Sequence, residues 1–308
     1  MGAHGAPEPS PMTLAEWLET WFAGHRHNLK PGTRTSYANV IDRWIEPYIG
    51  GVRLRDLGRA RVREWRDQIT GEGCTPAQVG KAGRVLSSAL GVAEREGLIP
   101  ANPASRMRLP RPRRQAVRPL TPLDIERIRL AMASDRDALL WSLISLAGLR
   151  PQEARALTWG DIGPALLTID KAVSGNEIGP TKTYGIRTVE IVGALRRDLD
   201  AAGGGDADEL VVAERGGGVV DFDNWRTRVW HPAIHRAGVK ATPYDGRHSF
   251  ASLLIHEGRS VPYVAAAMGH ASATTTLTYY THIFDAARHA PAEPMAQAVE
   301  AARAAFAA

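Results

Sequence analysis

Four short stretches of this chain hold side chains that could act on a phosphodiester. They are Ala147-Gly-Leu-Arg150-Pro-Gln-Glu153, Thr181-Lys182-Thr, Tyr244-Asp-Gly-Arg247-His248, and Gly269-His270, with Tyr280-Thr-His282 beginning ten residues after His270. Cleaving a phosphodiester needs a nucleophile, neutralisation of the charge on the non-bridging oxygens, and a proton for the departing hydroxyl. A guanidinium grips two phosphate oxygens at once and stays protonated throughout, so two arginines converging from separate segments could clamp a pentacoordinate phosphorane. Arg150 and Arg247 are the candidates.

The stretches resemble, in order and spacing, the catalytic boxes of the tyrosine recombinase (phage integrase) family of site-specific DNA recombinases. The first box is Ala147-Gly-Leu-Arg150-Pro-Gln-Glu153-Ala-Arg-Ala-Leu157-Thr-Trp159-Gly-Asp161-Ile162. The resemblance implies that Arg150 binds phosphate and that Glu153 is a supporting acid that orients the site. Lys182, followed by Arg187-Thr-Val-Glu-Ile, matches the family's hairpin lysine, which implies the general acid for the leaving 5′-hydroxyl. In the third box His270 would hydrogen-bond the scissile phosphate and Tyr280 would attack it, while Tyr279 packs.

The second box, Thr242-Pro-Tyr244-Asp-Gly-Arg247-His248, departs from the family pattern. A histidine usually stands three residues before this arginine; here it is Tyr244. A phenol donates a hydrogen bond to phosphate, but with a reference pKa near ~10 it cannot share protons at neutral pH as imidazole does. Tyr244 is therefore expected to position the phosphate. His248 falls at a position the resemblance marks as structural, with a satisfied core histidine as its expected role. Ionising a tyrosine at pH 7 costs about 4 kcal/mol from that reference value, so Tyr280 needs the cationic site around it.

The elements that must place these groups follow from periodicity and caps. Thr13-x-x-Glu16 forms a capping box, and Leu14, Trp17, Leu18, Trp21 and Phe22 then follow helical spacing. Tyr37, Val40, Ile41, Trp44, Ile45 and Tyr48 mark a second amphipathic helix, and further helices are expected at 59–70 and 76–96. The tryptophans at 17, 21, 44 and 65 read as core. Thr121-Pro-Leu-Asp124 starts another helix with a capping hydroxyl, a proline in the first turn and an acid at the positive end. Helices at 122–133, 136–148, 151–158, 193–201, 221–237, 244–257, 261–268 and 273–281 accompany strands at 166–169 and 186–192 and a short one at 209–213.

The resulting fold class is mainly α with a small β-sheet. The expected order is a disordered leader over 1–12, a helical core-binding (SAM-like) domain over 13–99, a basic Pro/Arg linker over 100–119, a catalytic domain over 120–285, and an alanine-rich tail over 286–308. The tail's segment 295–307 has strong helix propensity. It could pack blandly, fray, or be donated to a neighbouring protomer. The resemblance implies two lobes clamping duplex DNA.

Charge agrees with a polyanion partner. Residues 1–118 hold 19 Lys and Arg against 11 Asp and Glu, a net of +8, whereas residues 119–308 hold 19 against 22, a net of −3. Seventeen of the 19 N-terminal cations are arginine, the better phosphate fork. The lone Cys74 excludes an internal disulfide framework and suits a reducing, cytoplasmic setting. No stretch approaches the ~20 apolar residues of a membrane span. No histidine pair at metal-ligand spacing comes with a nearby acid, so neither metal nor cofactor is expected.

The implied reaction is a transesterification through a 3′-phosphotyrosyl intermediate, carried out by a homotetramer on paired sites in double-stranded DNA, with accessory DNA-bending or directionality factors as further partners. Two alternatives stand beside it. One is a catalytically weak DNA-binding protein of the same fold, suggested by Tyr244; the other is a type IB topoisomerase-like enzyme that relaxes DNA without exchanging partners.

Overall fold

A computed structural model describes residues 12–110, 117–175, 177–181, 185–287 and 292–307. These residues fall into two compact units, 12–110 and 117–307.

The first unit is built from five helices. Helix α1 (Leu14–His25) begins at the expected capping box: Thr13 Oγ1 accepts from the Glu16 amide at 3.3 Å and Glu16 Oε2 from the Thr13 amide at 2.7 Å. Helix α2 (Pro31–Val40) continues through a π-helical turn, Ile41–Ile45, into α3 (Glu46–Ile49), and α4 (Arg59–Gly71) and α5 (Pro76–Arg95) follow. The apolar stripes close on one another around Trp17, Leu18, Ile45, Trp65, Leu86 and Leu90. Each buried aliphatic chain of this kind contributes about 1.5–3 kcal/mol. The indoles are satisfied by backbone: Trp17 Nε1 donates to Ala89 O at 3.0 Å and Trp65 Nε1 to Trp44 O at 2.7 Å. Trp44 itself is half-buried.

The proline- and arginine-rich segment, expected to run as a linker from residue 100, is anchored to this unit as far as residue 110. Asn102 is buried, with Nδ2 donating to Ser87 O at 2.9 Å and Oδ1 accepting from the Ala104 amide at 2.9 Å. Ala104 joins the core, Arg66 Nη1 donates to Arg108 O at 3.0 Å, and Met107 and Leu109 lie over the bare backbone of Gly83. Small apolar residues between the prolines supply anchors that periodicity does not reveal. Met12, assigned to the leader, also packs on this core, and its carbonyl accepts from the Leu54 amide at 3.0 Å. The rest of that leader lies outside the described residues.

The second unit contains α6 (Pro122–Leu130), α7 (Asp135–Leu146), α8 (Pro151–Ala154), strands β1 (Leu166–Ile169), β2 (Lys171–Ser174), β3 (Glu177–Pro180) and β4 (Arg187–Glu190), then α9 (Gly193–Ala201), α10 (Phe222–Trp225), α11 (His231–Ala237), α12 (Pro243–His256), α13 (Val261–Ala267), α14 (Ala273–Ala287) and α15 (Met295–Ala307). Strand β1 pairs antiparallel with β4 in the register Leu167↔Val189, and β2 pairs with β3 in the register Val173↔Ile178. The second pair lies between the two strands expected at 166–169 and 186–192, where no strand was expected. Residues 209–213 form only isolated bridges rather than a strand.

Helix α7 is buried on nearly every face from Leu139 to Leu146 and sits at the centre. Its main neighbour is α12. The two approach closely because Gly246 has no side chain: a Cβ there would lie 2.5 Å from the Trp141 ring. Helix α15 packs against α6 and α9, burying Met295, Ala298, Val299 and Ala302, while Arg303 pairs with Asp198 at 2.6 Å and Glu126 at 3.4 Å. Among the described residues, no helix is long and apolar enough to cross a membrane.

Candidate active site

Glu153 lies at the centre of the site. Pro151 presets the first turn of α8, and Glu153, at the third position, reaches back so that Oε2 accepts from the Arg150 amide at 2.8 Å. The carboxylate is 2% exposed. A buried charge of this kind is costly unless paired, and three guanidiniums answer it. Arg150 Nη1 donates to Oε1 at 2.7 Å; Arg187, from β4, lays its fork across both oxygens at 3.0 and 2.6 Å; Arg247 Nη1 stands 3.8 Å from Oε2. Burial pushes the carboxyl pKa up, but Arg187, then Arg150 and Arg247, outweigh it and hold it down at about 2.

The same three arginines converge a second time, on the end of α13. Arg187 Nε donates to Ala267 O at 3.0 Å, Arg247 Nη2 donates to Met268 O, and Arg150 Nη2 donates to Gly269 O at 3.0 Å. The last carbonyls of a helix have no partner within it and carry the negative end of its dipole. Three consecutive carbonyls therefore each receive a guanidinium from a different part of the chain. Gly269, at φ +59°, permits this turn, and a Cβ there would press within 3.0 Å of the Arg187 guanidinium. Arg247 also donates to Gly148 O, beyond the end of α7. Burial, reinforced by Arg150 and Arg187 and opposed by Glu153 and Tyr280, lowers the Arg247 pKa to about 9, so it remains a cation at neutral pH. Arg150 is the more accessible of the two predicted phosphate forks, its side chain 35% exposed against 5% for Arg247.

The turn that follows Gly269 delivers His270. Its Nδ1 lies 2.8 Å from Thr276 Oγ1, so when Thr276 donates the ring carries its proton on Nε2. Burial, then the charges of Arg247 and Arg150, hold its pKa down at about 4. At neutral pH it is an uncharged hydrogen-bond donor.

Tyr280, on α14, is fully buried, and its hydroxyl lies 2.5 Å from His248 Nδ1. Burial raises its pKa well above the ordinary phenol value; Arg247 pulls the other way, and Tyr279 adds to the rise. Tyr279 is 44% exposed rather than packed. Tyr244 is 41% exposed, and its hydroxyl donates to Gln152 Oε1 at 3.1 Å. Lys182 lies outside the described residues. Among the described residues, no group of three His, Cys, Asp or Glu side chains comes together to hold a metal ion.

Two family profiles match the chain. That of the phage integrase N-terminal SAM-like domain covers residues 13–69, and that of the phage integrase family covers residues 119–287. The chain belongs to the phage integrase family of tyrosine recombinases. It is 30% identical to the tyrosine recombinase XerD of Corynebacterium glutamicum over 287 residues, spanning 87% of this chain and 92% of that relative. Identity to XerD of Pseudomonas aeruginosa is 26% over 304 residues, spanning 90% and 95%. The fold is shared with the Tn1549 transposon integrase solved with a circular intermediate DNA (TM-score 0.74, 19% identity, 90% of this chain and 98% of that one). It is also shared with a lambda integrase tetramer bound to a Holliday junction (TM-score 0.72, 19% identity, 87% and 80%). This tyrosine recombinase is a site-specific recombinase, an enzyme that breaks and rejoins DNA strands.

In the recombinase, Arg150, Glu153, Arg247 and His270 gather around the end of α13, and Tyr280 stands beside them with His248. Tyr244 joins them only through Gln152, two residues from Arg150. Arg187 is the member that sequence reasoning left out. Its signal in the sequence was its place at the head of the strand after Lys182; in the structure its side chain is 11% exposed, and an arginine so buried needs a carboxylate partner. His248, expected to be a satisfied core residue, finds its partner in the phenol of Tyr280.

Proposed function

We propose that Tyr280 is the nucleophile of this recombinase. Its oxygen attacks the scissile phosphorus of duplex DNA, forms a 3′-phosphotyrosyl bond and releases a 5′-hydroxyl, which attacks the partner duplex after strand exchange. Arg150 and Arg247 bind the non-bridging oxygens, and His270 donates a hydrogen bond to the same phosphate. Glu153 orients the arginines, Tyr244 positions the phosphate, and Lys182 protonates the leaving 5′-oxygen. The carrying observation is the convergence of three guanidiniums and His270 on one helix end beside Tyr280. That cationic field, Arg247 foremost, opposes the burial that raises the Tyr280 pKa above the ordinary phenol value. Bond energy stays in the phosphotyrosyl link, so the chemistry consumes no ATP.

The protein acts on two duplex sites as a homotetramer in the cytoplasm, together with accessory DNA-bending or directionality factors. The tetramer is supported by the shared fold with the lambda integrase tetramer on a Holliday junction. A nicked suicide substrate tests the assignment of the nucleophile. Tyr280→Phe binds this DNA with unchanged affinity and forms no covalent adduct, whereas Tyr279→Phe still forms it; an adduct that persists in Tyr280→Phe reassigns the nucleophile.

A further inference from the structure

A buried phenol that must become a phenolate needs somewhere to send its proton. The histidine that would stand three residues before Arg247 is Tyr244 here, exposed and engaged with Gln152. His270 has its Nδ1 committed to Thr276. The Tyr280 hydroxyl instead meets His248 Nδ1 at 2.5 Å, the ring centroids 5.8 Å apart and the planes tilted by 56°. Among the described residues, His248 is the base hydrogen-bonded to that hydroxyl.

We propose that His248 is the general base that takes the Tyr280 proton during DNA cleavage. The inference rests on Tyr280 being the nucleophile. As the bond from Tyr280 Oη to phosphorus forms and the bond from phosphorus to the 5′-oxygen breaks, the phenolic proton moves to His248 Nδ1. The departing 5′-oxygen receives a separate proton from the acid assigned to Lys182. In rejoining, the His248 imidazolium returns its proton to the Tyr280 oxygen as that oxygen leaves phosphorus, so one residue serves both half-reactions.

The surroundings suit this role. His248 follows Arg247 directly on α12, so the base and a phosphate-binding cation move as one rigid piece. The titratable and charged groups around it are Asp245 and Arg247 on its own helix, Tyr279 and Tyr280 on α14, and His270 in the turn before α14. Burial lowers its pKa, with Asp245 raising it and Arg247 lowering it further, so the ring is neutral and able to accept a proton at pH 7. With Nδ1 accepting from the phenol, the ring's own proton sits on Nε2. The scissile phosphate brings negative charge into the site as the imidazolium forms.

The test compares wild type, His248→Ala, His248→Asn and Tyr280→Phe in single-turnover adduct formation on a nicked suicide substrate, with DNA affinity and thermal melting measured alongside. Asparagine keeps an acceptor near the Nδ1 position but cannot take up a proton. We expect His248→Ala and His248→Asn each to form adduct about 10²- to 10⁴-fold more slowly, the range of a lost general base, while His248→Asn melts and binds DNA like wild type. A second substrate, with sulfur in place of the bridging 5′-oxygen, needs no proton on its leaving group. On it the His248→Asn defect persists, whereas Lys182→Ala recovers. A His248→Asn rate within threefold of wild type overturns the base assignment and leaves His248 a positioning residue, and so does relief of its defect by the sulfur substrate. Should Tyr280→Phe itself form adduct, the nucleophile assignment falls and this inference with it; an inert Tyr280→Phe beside fast His248 variants removes only the base.

Discussion

The two units use arginine in opposite ways. In the first, Arg59, Arg63, Arg84, Arg106 and Arg108 are all exposed, and the core beneath them is closed by aliphatic packing and indole-to-carbonyl hydrogen bonds. In the second, Arg247 is buried, Arg150 and Arg187 are partly so, and all three are tied to one carboxylate and one helix end. A surface guanidinium acts through a field that salt screens within about 10 Å at 0.1 M. A buried one acts through fixed geometry and becomes part of what holds the unit together. Under the proposed function, the same residue type serves recruitment of DNA in one unit and alignment of the reacting phosphate in the other.

That contrast breaks most readily at Glu153. Glu153→Ala leaves three guanidiniums around an empty space. It should destabilise the second unit by about 3–5 kcal/mol, the cost of removing one partner from a buried ionic cluster, and abolish adduct formation. Urea melts read at two wavelengths, with Trp65→Ala as the counterpart lesion in the first unit, show whether the two units lose stability separately.

A somewhat smaller effect comes from acid. The Glu153 carboxyl sits at about 2 in the folded protein against 4.5 for an ordinary glutamate. Its contribution is complete above pH 4.5 and is lost as pH falls from there through about 2, amounting to about 3 kcal/mol. Glu153→Gln should flatten that part of the stability curve, measured by thermal melting between pH 6 and pH 2.

Arg63→Ala, in the first unit, should weaken DNA binding and make the dependence of log affinity on log salt shallower by about 1. The adduct rate at saturating DNA should stay the same. A lost rate with an unchanged salt slope would reverse the division of labour between the units. Smallest of all, Tyr244→Phe removes one exposed hydroxyl and its bond to Gln152. Stability should change by no more than about 0.5 kcal/mol, and the adduct rate should fall by less than about tenfold.

Local signals in the sequence were read correctly where they act locally. Thr13 and Thr121 cap the helices that follow them, α7 and α12 stand where helices were expected, and β1 and β4 fall within the expected strands. The misreadings concern partners distant in the chain. Helix α8 stops at Ala154 instead of running to 158 because the chain turns at Arg155, whose buried Nε donates to Val220 O at 2.7 Å, 65 residues away. Arg187 looked like one more strand residue because Glu153 stands 34 positions before it. His248 looked structural because Tyr280 lies 32 positions after it. The packing of residues 102–110 was hidden by a composition that ordinarily marks a free connector. Sequence spacing finds residues that share an element, whereas a charged cluster is assembled by tertiary packing.

The three carbonyls at the end of α13 also set a timetable. Their arginine partners lie 119, 80 and 21 residues earlier in the chain. Closing such long loops makes these among the slow contacts of folding, and during synthesis they cannot form until residues 267–269 have left the ribosome. Until then the three arginines share only Glu153, and Tyr280 has not been translated. If Tyr280 is the nucleophile, as proposed, an unfinished chain presents the exposed arginines of its first unit before it has any means of cutting, and the ability to break a strand arrives only once α14 has been made.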